Sequence, residues 1–193
     1  MTTLPGRHVT GQYGDVFLFL SGRPCLDLTT TLQVRHHATP RETLLTPADV
    51  ALWSKEAGLA DGLAVDAGGL ERTRRLREVV HRLCRAVLEG VPFGAADLAA
   101  LNDAAGVPPL VPRLTAEGTK GHCGDLGQVL STLARDAIDL LSGPYSERIR
   151  ECAHSDCSRL FLDASHAGRR RWCGMTSCGN KAKAAAYRRR KSG

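Results

Sequence analysis

Apolar residues recur every three to four positions through the middle of the chain, the period of amphipathic helices. The longest such segment spans about 70–89, where Leu76, Val79, Val80, Leu83 and Val87 fall at i, i+3, i+4, i+7 and i+11 on one stripe. A second begins at Asp125, which with Gln128 fits a capping box; Leu126, Val129, Leu130, Leu133, Ala137, Leu140 and Leu141 form its core face. Ser142-Gly143-Pro144 ends it. A third starts at Thr46, with Pro47 in the first turn, Asp49 completing a capping-box pattern and Gly58 as the stop. Leu52 and Trp53 of that helix face the core. A weaker helix is expected over about 94–104.

Strand signals are shorter. Val16–Leu20 is an apolar run closed by Ser21-Gly22 and reads as a strand. Residues 25–35, CLDLTTTLQVR, fit either state: three threonines favour a strand, while Leu28 and Leu32 stand one helical turn apart. PPLVPRL followed by a Gly-rich turn at 118–121 predicts a hairpin, with Pro112 confining its strand to an edge. The polar side of the longest helix carries Arg74, Arg77, Arg82 and Arg85. Glu71, Glu78 and Glu89 interrupt those cations, so this reads as a solvated face before a second nucleic-acid surface.

Near the C-terminus the periodicity gives way to chemistry. Cys152, Cys157, Cys173 and Cys178 are spaced C-x4-C-x15-C-x4-C. Two short cysteine loops joined by a hairpin-length spacer can bring four thiolates around one Zn²⁺, leaving no open coordination position; the metal is then structural. Within the spacer, Arg159–Asp163 alternates like a strand, Ala167-Gly168 makes a turn, and Arg170–Cys173 is expected to return as a second strand. Phe161 and Trp172 supply the small apolar core. NKAKAAAYRRRK then forms a helix opening at the last cysteine, which completes a treble-clef-like finger too small to fold without its metal.

Charge separates the chain at the same place. Residues 144–193 hold twelve Lys or Arg against four Asp or Glu; with +6 overall, the first 143 residues are left at −2. From His166 onward there is no acidic residue at all. Such a footprint suits a polyanion, and Arg169, Arg170, Arg171, Lys181, Lys183, Arg188, Arg189, Arg190 and Lys191 are the candidate nucleic-acid contacts. Asn180 joins them because an amide can pair with adenine, although its place at the helix start points first to capping. Asp163 and Ser165 read as residues that brace the turn.

The expected architecture is mainly α with small β elements (α+β): a helical N-terminal domain over 1–143 and a treble-clef-like zinc finger over 144–193. No apolar stretch is long enough to span a bilayer, and MTTLPGRHVTGQYGD lacks the apolar core of a signal peptide, so no membrane partner and a cytoplasmic location are expected. Reduced cytosolic thiols favour a metal site over disulfides. Cys25, Cys84 and Cys123 are left as small buried hydrophobes. His36-His37 is the one polar cluster upstream that suggests a pocket; adjacent histidines on a strand point apart and would not share a metal. There is no phosphate-cradling glycine loop, H-E-x-x-H or nucleophile elbow, so no enzyme activity is expected.

The run C-x4-C-x2-LF-x-D-x-S…RRWC-x4-CGN resembles the C-terminal finger of the bacterial CGNR zinc finger family. The upstream region, through LDLTTTLQVR, resembles that family's N-terminal domain (ABATE), proposed to be a stress-induced transcription regulator. Lys181 stands where the naming motif has arginine; lysine lacks a planar fork but can still meet a phosphate. Thr30 stands in place of the motif's asparagine. The resemblance implies a zinc-dependent, DNA-binding transcriptional regulator whose N-terminal domain senses a small-molecule ligand or a partner. Two other classes stay open: an RNA- or ribosome-associated protein, with Tyr187 or Trp172 available for stacking, and a redox-responsive zinc module that binds protein. A homodimer would multiply the few contacts of one finger.

Overall fold

The computed structural model describes residues 7–10 and 16–191. The segments 1–6 and 11–15, from which the lack of a signal peptide was read, lie outside the described residues. β1 (Arg7–Thr10) pairs antiparallel with β2 (Val16–Phe19). α1 (Pro24–Thr29) resolves the ambiguous segment as helix. Pro24 opens it, and the Asp136 carboxylate accepts from Cys25 N at 2.9 Å. The threonines that suggested a strand end the helix instead. The hydroxyls of Thr29, Thr30 and Thr31 donate to the carbonyls of Leu26, Asp27 and Leu28 at 2.7, 2.8 and 2.8 Å, satisfying acceptors that a helix terminus leaves open. A short β3 (Leu32–Gln33) and β4 (Arg41–Glu42) follow.

α2 (Pro47–Glu56) starts in the expected Thr46–Asp49 capping box, and the chain leaves it through Gly58 at φ +70. α3 (Ala67–Glu89) is the longest helix, α4 (Ala95–Gly106) packs beside it, and β5 (Val111–Leu114) with β6 (Lys120–Cys123) form the expected hairpin. α5 (Leu126–Ser142) begins in the Asp125–Gln128 capping box. The core lies where α1, α3 and α5 meet: Leu26, Leu28, Val80, Leu83, Leu133 and Ala137 are fully buried, with Trp53 closing one side. Cys25 and Cys84 belong to it, and burial pushes the Cys84 thiol up to about 12. Cys123, by contrast, is exposed on β6, because the hairpin stands out from the core.

The arginine side of α3 is solvated only in part. Arg77 is only 4% exposed and forms a bidentate pair with Glu42, both contacts at 2.7 Å, while its Nε meets Glu78. Arg74 donates to the Leu44 carbonyl, Arg82 to Asp97 and Arg85 to Glu151 and Glu89. Each ties α3 to a neighbour; the expectation of a solvated face is corrected at Arg77, which is buried in its ion pairs, and holds at Arg82, which stays exposed.

A 3₁₀ turn (Ser146–Arg148) leads into β7 (Ile149–Glu151), which pairs with β8 (Leu160–Leu162) in the register Ile149↔Leu162, Arg150↔Phe161 and Glu151↔Leu160. Ile149, Leu160 and Leu162 join the helical core, whereas Phe161 points to the cysteines. A single π turn (Met175–Gly179) runs directly into α6 (Asn180–Lys191). The described chain is thus mainly helical with four two-stranded antiparallel sheets. None of its helices is long and apolar enough to cross a membrane.

Candidate metal centre and basic helix

Cys152 and Cys157 occupy the loop at the tip of the β7–β8 hairpin. Cys152 N donates to Arg159 O at 2.9 Å, and Cys157 N to His154 O at 3.0 Å, so both sulfurs turn to one side. Cys173 follows an extended segment, and Cys178 sits in the π turn. The four Sγ atoms lie within 4.8 Å of one another, with Cys157–Cys173 at 3.8 Å and Cys173–Cys178 at 3.7 Å. A tetrahedron of Zn–S bonds near 2.3 Å has edges of about 3.8 Å, so the donor set fits one zinc ion. Hydrogen bonds from the Cys152 and Cys157 thiols, joined by the Arg159 guanidinium, hold the Cys173 thiol well below its ordinary range. Among the described residues this is the one cluster suited to a metal.

The path into the third cysteine departs from expectation. Residues 170–173 do not return as a strand beside β8, whose partner is β7. Their backbone groups are taken elsewhere: Arg170 N donates to Asp163 Oδ2 at 2.8 Å, and Arg171 O accepts from Ala153 N at 2.9 Å. Asp163, fully buried, also accepts from Ser165 N at 3.0 Å and Ser165 Oγ at 2.5 Å, so it braces the 163–170 loop as expected. Burial opposes its charge, but these donors outweigh burial and its carboxyl is lowered. Gly179 N closes the π turn on Gly174 O at 2.9 Å; a Cβ there would come within 2.9 Å of the Met175 sulfur, which belongs to an exposed, flexible side chain that can move aside.

The predicted cations fall into three groups. Arg169 and Arg171 are exposed, the latter lying over the Trp172 ring at 5.2 Å. Arg170 is turned inward: it covers the Phe161 ring at 4.7 Å, and its guanidinium donates to the carbonyls of Trp172 and Cys173. The expected row of three outward arginines is therefore a pair, because the middle one ties down the segment that carries Cys173. Lys181, Lys183, Arg188, Arg189, Arg190 and Lys191 all lie exposed on α6, which buries none of its residues and carries no acid. Asn180 does not cap this helix. Its backbone is already helical (φ −67, ψ −39) and continues the π turn, so its exposed amide has no orphan helix-end donors to serve.

Arg159 and Ser158, at the centre, gave no signal of their own in the sequence, whereas His36 was singled out there with His37. Arg159 is 9% exposed and donates from Nη1 to Cys173 Sγ at 3.2 Å. Ser158 Oγ accepts from Arg35 N at 2.8 Å, and His36 Nε2 meets Ser155 O at 2.5 Å, so the 34–36 turn of the helical domain grips the first cysteine loop. Val34 in that turn has φ +45, a costly conformation for a β-branched residue. His36 and His37 stand on this turn rather than a strand, with their rings in contact at 4.8 Å. Between the turn and the cysteine loops lies a cleft of about 170 Å³ whose lining includes Thr30, Val34, Cys157, Arg159, Cys178 and Lys181.

A helical domain gripping a four-cysteine, zinc-binding finger with a basic terminal helix defines the class: a two-part zinc-finger protein. Residues 22–144 match the ABATE family model, described as "Putative stress-induced transcription regulator", and residues 148–191 match the CGNR zinc finger. The chain belongs to the ABATE family and carries a CGNR finger at its C-terminal end. No curated protein matches it.

Proposed function

We propose that the chain is a zinc-dependent, DNA-binding transcriptional regulator. The observation that carries this reading is α6: twelve residues, six cations, no acid and no buried side chain, rooted on the cysteine cluster. A helix with six cations and no fully buried side chain gains little from packing on its own protein, and a partner of opposite charge would account for it. A polyphosphate backbone supplies the matching charge, with affinity from released counterions. Arg169 and Arg171 stand on the segment fixed by Cys173, so the metal would hold both basic elements at constant separation. Arg170 has no part in the contact. The helical domain, in this reading, acts on the finger through the 34–36 turn, and the cleft beside that turn is where a small ligand would be sensed. No catalytic role is assigned to the chain.

The test is fluorescence-anisotropy binding of zinc-quantified protein to random duplex DNA and to structured RNA across a salt series. A variant with Arg188, Arg189 and Arg190 changed to alanine is measured beside it. Tight duplex binding is expected, with a salt slope that falls by about 0.9 for each phosphate contact the variant loses. Absence of duplex binding at low salt would refute the reading, and tighter binding to RNA would transfer the surface to RNA.

A further inference from the structure

The next step rests on the DNA-binding reading and concerns which face of α6 meets the duplex, and how. The three half-buried positions of this helix, Ala182, Ala185 and Ala186, lie on one side of it. At 3.6 residues per turn, the opposite side is Asn180, Ala184, Tyr187 and Lys191, at i, i+4, i+7 and i+11, within an arc of about 60°. All four are exposed. Lys183 flanks this stripe on one side, and Arg188 with Lys181 flanks it on the other.

That order of side chains decides between two modes of binding. A helix resting along a single phosphate backbone would carry cations in the middle of its contact face. Here the middle holds an amide, a methyl group and an aromatic ring, and cations border it on both sides. The one cation on the stripe, Lys191, is in the last turn and stacks on Tyr187 at 5.6 Å. This is the layout of a helix inserted in a groove, where the centre faces base edges and the flanks face one phosphate strand each. The major groove, about 12 Å wide, admits an α-helix, and the small Ala184 lets the helix axis approach.

We propose that α6 is a recognition helix read in the major groove. The Asn180 amide pairs bidentately with adenine, the Ala184 methyl packs against a thymine methyl, and Lys183 and Arg188 clamp the two backbones. Two observations make Asn180 available: it is exposed, and it makes no side-chain hydrogen bond with a described residue. Its position is also fixed, because Cys178 stands two residues upstream in the same continuous helical turn.

The experiment selects preferred sites from randomised duplexes with the zinc-loaded full chain, then measures affinity for the enriched site and for random duplex. Asn180→Ala is expected to lose roughly 10- to 100-fold on the enriched site while keeping its affinity for random duplex. Asn180→Gln, which can also pair with adenine, keeps the preference in part. Lys183→Ala weakens both duplexes equally and lowers the salt slope by about 1. Zinc content and helicity are checked for every variant; alanine is the better helix former, so Asn180→Ala is expected to fold. Equal losses on both duplexes for Asn180→Ala, or selection that enriches no sequence, would overturn groove reading while leaving DNA binding intact. Failure of the unaltered protein to bind any duplex would remove the DNA-binding reading as well.

Discussion

Asp27 lies buried in α1, with Oδ1 accepting from Leu20 N and Ser21 N at 3.1 and 2.9 Å. Burial is the largest influence and pushes its carboxyl up to about 6, against the lowering pull of Ser21, Arg159 and Leu20. An acid whose native pKa exceeds its ordinary 3.8 binds more protons folded than unfolded. Its stabilising effect is complete below about pH 4 and fades as pH rises through about 6. Glu78 runs the other way: burial raises it, but Arg35 and Arg77 outweigh burial and bring it down to about 2, so its contribution is lost only as pH falls from about 4.5 toward 2. Asp27→Asn should therefore flatten the stability profile between about pH 4 and 6 and leave the acid limb; thermal melts followed at Trp53 in a Trp172→Phe background would read this. Arg159 faces the cysteines with the same logic of buried charge. A four-thiolate zinc site is doubly negative, and Arg159→Met removes the cation that donates to Cys173. Zinc affinity should fall by roughly 10- to 100-fold in competition with a chromophoric chelator, and Arg159→Lys should recover part of it. The four cysteines were legible because ligand pairs must sit close in sequence to share one ion. Asp27 and Arg159 were not: whether a charge is buried, and against what, is decided by segments more than a hundred residues apart.

At the scale of elements, α6 depends on what precedes it. An isolated helix of about twelve residues is marginal in water because nucleation is costly, and α6 has no fully buried residue to repay that cost. The π turn through Cys178 supplies the nucleus, since its backbone already runs helically into Asn180. Removing zinc with a chelator should release Cys178 and melt α6, lowering far-UV circular dichroism by about twelve residues of helix while α1–α5 persist. Loss of the whole helical signal, or of none of it, would contradict this dependence. The elements read correctly from sequence share a property: their ends are marked locally. Thr46 with Asp49, Asp125 with Gln128, and Gly58 each satisfy or break the backbone within four residues. The misread ones are settled from a distance. The threonines after α1 favour strand by branching at Cβ, yet their hydroxyls are used to close the helix. Residues 170–173 look like a returning strand, but Asp163 and Ala153 take their backbone groups. The exposed stripe of α6 was hidden for a related reason, because choosing it requires knowing which alanines are half-buried.

On the scale of the whole molecule, the β7–β8 hairpin serves two cores at once. β8 packs on α1 and β7 on α3, and Ile149 and Leu160 are fully buried among the helices with Leu162 nearly so, while Phe161, between the last two, caps the cysteine cluster. Alternation along one short strand therefore joins the helical core to the finger. Leu162 N donates to Ser21 O at 2.8 Å, and Arg85 bridges α3 to Glu151, which adds polar ties to the same seam. Burying three aliphatic side chains is worth about 2 kcal/mol each, and the sum is comparable to the net stability of an ordinary domain. A fragment ending at Gly143 should lose cooperative folding even though it keeps all five helices, whereas one ending at His166 keeps the hairpin and should fold without zinc. Near-UV circular dichroism and thermal unfolding of the two fragments separate these outcomes. If the shorter fragment melted as sharply as the longer one, the hairpin would belong to the finger alone, and movement of the helical domain could not reach α6 through it. If only the longer one folds, the helical core and the finger share the hairpin as one seam, beside which the 34–36 turn holds the first cysteine loop through Ser155 and Ser158.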